Sequence, residues 1–140
     1  MLKIDLAKAF DHFEWNFIVS ALSRKVLHGH FINLVHACIS SPMFFVVING
    51  HPSKKINSSR GIHQGCPMSP YLFVISINEL SIALNEALVA HQLQGVSLRL
   101  NCPSIHSVSF AVDLLVCGHA TLQEAHTMAN LINQFCVIFG

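Results

Sequence analysis

Charge is scarce in this chain. Only 11% of its 140 residues are Asp, Glu, Lys or Arg, and eight basic against seven acidic side chains leave a net charge of +1. A domain that grips a polyanion unaided carries a basic stripe, so strong autonomous binding of nucleic acid is not expected. The cations fall in small groups, at Lys3 and Lys8, at Arg24-Lys25, and at Lys54-Lys55 with Arg60; a solvated face is the ordinary reading of such pairs. Long apolar runs are also missing. The longest are Met43 to Ile48 and Tyr71 to Ile75, whereas a membrane span needs about 18 nearly uninterrupted apolar residues, so no membrane segment is expected despite a mean hydropathy of +0.53. The first residues, with Lys3, Asp5 and Lys8, lack the apolar core of a secretory signal. No Cys-x-x-Cys spacing occurs among Cys38, Cys66, Cys102, Cys117 and Cys136. An odd number without that spacing points to buried, reduced thiols in an intracellular chain with no disulfide-linked partner. Histidines are plentiful, but the densest group, His28, His30 and His36, has no Cys or carboxylate at ligand spacing, and a surface role is expected over a zinc site.

What is present is a core. A hydrophobic content of 52% in 140 residues suffices for one folded domain. Leu2 to Leu6 reads as a short strand, and helical spacing of Phe13, Phe17, Ala21, Ile18 and Leu22 predicts a helix over residues 12–25, with Asp11 and Glu14 at capping-box distance. A second helix is expected over 31–40, stopped before Pro42. Met43 to Ile48 reads as a buried strand, and Asn49-Gly50 is a strong hairpin signal whose partner strand should lie within 52–58. Beyond the Gly61 to Pro70 loop, a long helix is expected over 69–90, then strands at 95–100 and 105–110, a tight turn at Ala111-Val112, and a strand over 113–117. Thr121 and Glu124 form a capping box that opens a last helix reaching Ile138. Helices on one face of a small antiparallel sheet make an α+β layer arrangement. The chain shows no repeats, low-complexity tracts or long linker.

Three short blocks carry the chemistry: Lys3-Ile4-Asp5-Leu6-Ala7-Lys8-Ala9-Phe10-Asp11, then Ser59-Arg60-Gly61-Ile62-His63-Gln64-Gly65-Cys66-Pro67-Met68-Ser69-Pro70-Tyr71-Leu72-Phe73, then Ser109-Phe110-Ala111-Val112-Asp113-Leu114-Leu115-Val116-Cys117. In order and separation they resemble the palm of a reverse transcriptase from a non-LTR (LINE-type, plant-like) retrotransposon. The Gln-Gly-Cys-Pro-x-Ser-Pro string is the most specific of them. The resemblance implies a ferredoxin-like antiparallel sheet with helices packed on one face. Residues 1–140 would then form a partial reverse transcriptase domain without fingers and thumb, both ends of the chain falling inside the larger domain.

The resemblance also implies a chemistry. Templated nucleotidyl transfer uses two divalent metals, one activating the 3′-hydroxyl and one holding the triphosphate; magnesium takes oxygen ligands in octahedral geometry, supplied by carboxylates. Asp5 matches the first-strand ligand and Asp113 the second of a hairpin pair, while Val112 stands where the first of that pair belongs. The remaining carboxylates are Asp11, which suits a helix cap, and Glu14, Glu79, Glu86 and Glu124, none near the hairpin in sequence. Loss of one ligand would remove several kcal/mol of transition-state stabilisation, a rate loss of about a thousandfold or more. Valine packs well in strands, so the fold itself need not suffer. Phe10 matches the bulky residue that excludes a ribose 2′-hydroxyl and reads equally well as a core aromatic. Gln64 and Gly65 match the loop that contacts template and incoming nucleotide, Gly permitting close backbone approach. His63 stands in place of an arginine, exchanging a permanent cation for a mostly neutral ring. The implied cofactor is Mg2+ with impaired binding; the implied partners are an RNA or DNA template-primer and dNTP, held weakly by this chain. Asp5 and Asp113 should converge within about 10 Å, since paired metals lie roughly 4 Å apart. Against this stands a different reading, a noncatalytic module that reuses the palm sheet to bind nucleic acid or protein.

Overall fold

The computed structural model describes residues 1–6, 8–97, 99, 102–110 and 113–140. Within them, helices pack on one face of an antiparallel sheet, as the α+β expectation requires. The sheet has three strands, β1 (Leu2–Asp5), β6 (Ser107–Phe110) and β7 (Asp113–Val116), in the order β1-β7-β6. Successive strand residues point to opposite faces. Leu114 and Val116 of the central strand are buried in the same cluster as the helical core, while Lys3, Asp5, Asp113, Leu115, Val108 and Phe110 share the other face. Of the strand expected over 95–100, the described residues show one bridge, Val96 with Ile105; Leu98 and Leu100 lie outside the described residues, as does the Ala111-Val112 turn.

The helix expected over 12–25 divides in two. A short α1 (Ala9–His12) is followed by α2 (Trp15–Arg24), with Phe13 extended between them at ψ 119°. Tertiary bonds outcompete the local pattern here. Gly61 N–H donates to the Phe13 carbonyl at 2.7 Å and Glu14 N–H donates to the Phe139 carbonyl at 2.9 Å, while the Phe13 ring is fully buried against Phe73 and Phe139. The capping box fails with it: Asp11 lies inside α1, and Glu14 caps α2 without a side-chain bond.

The next helix, α3 (Gly29–Ser40), starts two residues earlier than expected, opened by His28, whose ring nitrogen accepts from His30 N–H. The strand expected at 43–48 is split into β2 (Met43–Phe44) and β3 (Val47–Ile48), which pair with β5 (Ile56–Asn57) and β4 (His51–Pro52). Ser53 explains the break, since its hydroxyl accepts the Val46 N–H at 3.0 Å in place of a ladder bond. Nor is this hairpin buried: Met43, Phe45, Val46, Val47 and Ile48 are all exposed. The turn itself forms at Asn49-Gly50, with φ of 50° and 82°, the two positive values a two-residue type I′ turn demands.

Two long helices complete the layer, α4 (Ser69–Val89) and α5 (Leu122–Phe139). By length and composition α4 is apolar enough to cross a membrane, but Leu72, Phe73, Ile77, Leu80 and Leu84 on it are core residues, the pattern of a helix buried by its neighbours. It also carries Glu79, buried with its carboxylate 2.5 Å from the Arg24 guanidinium and 3.6 Å from the Lys25 ammonium. The Arg24-Lys25 pair is therefore a clamp between α2 and α4 instead of a solvated face. At α5 the capping box is half formed: Thr121 Oγ1 accepts from Glu124 N–H, but the Glu124 carboxylate turns to His119 N–H at 2.8 Å. The thiols also correct the sequence reading, since all five are free but none is buried: Cys38, Cys102 and Cys136 are exposed, and Cys66 and Cys117 half-buried.

Candidate active site

The register of the sheet sets Asp5 directly opposite Asp113, and Phe110 opposite Asp113 on the other side, so one row across three strands reads Asp5, Asp113, Phe110. Cβ atoms of directly opposed residues lie about 4.5–5.5 Å apart. The two carboxylates are thus close enough to share a cation, at one end of the sheet and on its solvent side. Val112, one residue from Asp113, lies outside the described residues.

Lys3 belongs to the same face, two residues before Asp5. Its ammonium lies 3.1 Å from Asp113 Oδ1. Directly opposed like charges are destabilising, and this cation offsets part of that repulsion. Both partners are substantially exposed, at 63% and 45% of their side chains, so the pair contributes at most about 1 kcal/mol.

Phe10, Gln64 and Gly65 are brought together at a second locus. Gly61 makes this possible: at φ +86° its Cα sits where an added Cβ would meet the Asp11 and Phe10 carbonyl oxygens at 3.0 and 3.1 Å. Ile62 N–H donates to the Phe10 carbonyl at 2.7 Å and Trp15 Nε1 donates to the Gly61 carbonyl at 2.8 Å, sewing the glycine loop to the α1–α2 segment. Above this seam is an open cavity of about 740 Å³ lined by Phe10, Arg60, His63, Gln64, Phe44 and Ser69 among others. An adjoining cavity of about 570 Å³ adds Gly65. Gly65 has φ +89° and open space where a Cβ would go. Phe10 is half-buried and stacks on Phe73, with centroids 5.2 Å apart and planes 14° from parallel. It is both a packed aromatic and a cavity wall. Ser69 and His63 are coupled by a 2.7 Å bond from the Ser69 hydroxyl to the His63 carbonyl, and the His63 ring stacks on Phe44 at 5.6 Å and 9°.

The sequence reading missed Phe44 and Arg60 as cavity walls. Arg60 stands in the glycine-loop block, which was the available signal; Phe44 comes from a distant hairpin and had none. Neither Asp5 nor Asp113 lines the two cavities. Among the described residues no group of three or more His, Cys, Asp or Glu is gathered as a metal site.

Residues 1–139 match the family model for reverse transcriptase (RNA-dependent DNA polymerase), and the chain belongs to that family. Its members generally use Mg2+ and bind template-primer and dNTP. The donor set suits part of this need. Two opposed carboxylates on a solvent-facing row offer hard oxygen ligands of the kind magnesium takes, commonly one or two carboxylates completed by water and substrate phosphates. Valine, the residue type at position 112, has no side-chain oxygen to add to them.

Proposed function

We propose that this chain carries the palm of a non-LTR (LINE-type) reverse transcriptase and lacks polymerase activity as written. The observation that carries the reading is the register pairing of Asp5 with Asp113 in a chain whose residue beside Asp113 is valine. In the active chemistry a bound divalent ion would lower the pKa of the attacking hydroxyl and stabilise charge on the phosphates. The protein's own share is to position: Asp5 and Asp113 orient the ion, the Phe10 ring limits space beside the sugar, and Gln64 with the Gly65 backbone faces the nucleotide and template. His63 and Arg60 would line the path of the phosphates, with Arg60 the permanent charge. Without a third carboxylate the site is one negative charge short, a deficit of about a thousandfold or more in rate. A working place inside the cell, with no membrane or disulfide-linked partner, belongs to this reading.

A second reading, a noncatalytic module that binds protein or nucleic acid through the palm sheet, is favoured by one observation. Phe110 is 82% exposed in the carboxylate row and Val108 on the same face is 51% exposed, an apolar surface of the kind that marks contact sites.

A primer-extension assay with Mg2+, the chain, and its Asp5→Asn/Asp113→Asn control tests the proposal. Equal, background-level product from both is expected. Product above the control would overturn the assignment of inactivity.

A further inference from the structure

We propose that Lys3 is a built-in counter-ion of the Asp5–Asp113 pair, and that a divalent cation reaches those carboxylates only by displacing it. The inference rests on the reading of that pair as the metal-binding carboxylates, and concerns what this chain itself has put there.

Lys3, Asp5, Asp113 and Leu115 lie on one face of two paired strands, with Lys3 opposite Leu115 and Asp5 opposite Asp113. Lys3 therefore reaches Asp113 along the diagonal, a span long side chains bridge easily, and its ammonium does so at 3.1 Å. Among the described residues this is the one ion pair in the sheet; the other two involve Glu79, on α4. Its flanks favour the contact. Leu115 stands directly opposite Lys3, so the lysine stem can lie along its apolar side chain while the head meets the carboxylate.

A metal arriving at this row meets the lysine's charge. An ammonium and a divalent ion about 4 Å apart repel even in water, by an amount that lowers affinity on the order of tenfold or more. The ion and Lys3 cannot both sit against Asp113 without that penalty. With Asp5 and Asp113 contributing two negative charges and Lys3 one positive, the chain presents a row already half neutralised. The metal-free sheet gains in stability by the same contact that weakens its hold on a cation.

The test uses Mn2+ alone as probe, since its free ion is read directly by electron paramagnetic resonance, with the full chain throughout. Four proteins are compared: unaltered, Lys3→Met, Asp113→Asn, and the Lys3→Met/Asp113→Asn double variant, with Lys3→Gln in reserve should the methionine variant not fold. Lys3→Met is expected to tighten Mn2+ binding about tenfold, to lower the melting temperature without metal, and to recover it with Mn2+; in the Asp113→Asn background the tightening should vanish. If Asp113→Asn weakens Mn2+ binding but Lys3→Met leaves it unchanged, the carboxylate reading stands and the counter-ion inference falls. Tightening that persists without Asp113 places the effect elsewhere and also overturns it. If neither substitution alters Mn2+ binding, the pair is no cation site, and both readings fall together.

Discussion

Asp5 and Asp113 place like charges opposite each other at one end of the sheet, an arrangement that costs the fold up to about 1 kcal/mol. Each stands in a short block of specific residue types, which singled it out as a candidate in the sequence. Their adjacency was an expectation that only strand register could supply. Lys3 was visible in the sequence as a basic residue, but its diagonal reach to Asp113 depends on a strand far along the chain. Elsewhere on the sheet, His106 precedes β6 with its ring nitrogen 2.9 Å from Ser107 Oγ, and burial lowers its pKa below the ordinary 6.5. Well above pH 6.5 the ring is neutral folded and unfolded and adds no pH dependence; as the pH falls through that value the unfolded chain takes up the proton first, and stability falls until the folded pKa is passed. Urea denaturation across this window should show the loss, and His106→Gln should flatten it; an unchanged slope would assign the dependence to another group.

At the scale of elements, patterning located the helices and tertiary bonding set their ends. Phe13 and Glu14 had helical spacing on both sides, yet their backbone groups bond Gly61 and Phe139, partners that no local window contains. Ser53 likewise breaks the strand expected at 43–48 through a side-chain bond across the hairpin. The Asn49-Gly50 turn was legible because its signal is local: both residues must tolerate positive φ. The clamp between α2 and α4 was not. Arg24 and Lys25 meet a buried Glu79 whose Oε1 accepts no hydrogen bond, Lys25 being 3.6 Å away. Removing both cations strands a buried carboxylate, a loss of about 3–5 kcal/mol for a fully buried pair by the usual rule. Arg24 is 64% and Lys25 31% exposed at the side chain, so solvent screening reduces this. Arg24→Met/Lys25→Met should cost about 1–3 kcal/mol by urea denaturation, and Glu79→Leu added to it should restore most of that. A double variant as stable as the parent would show that the clamp contributes nothing.

Across the whole molecule, apolar surface is conspicuous. Leu122, Val137 and Phe110 are 82–83% exposed, and the 43–48 hairpin shows Met43, Val47 and Ile48 at 58–67%. Scarcity of charge made such patches predictable in kind; their location required knowing which faces the helices left uncovered. Surfaces of this sort drive association, and the chain should sediment with concentration-dependent mass and bind a hydrophobic dye while folded. A monodisperse monomer that ignores the dye would contradict the prediction. Family membership covers residues 1–139, so the sheet that carries Asp5 and Asp113 lies within a reverse transcriptase domain. Valine in place of a carboxylate at position 112 is, in the proposal above, what disables polymerisation. Its most direct test is primer extension by a chimera in which an active family member supplies the flanking segments, assayed with the parent residue and with Val112→Asp. Extension at least about a thousandfold faster with Val112→Asp is the expected result; equal extension by both would contradict it.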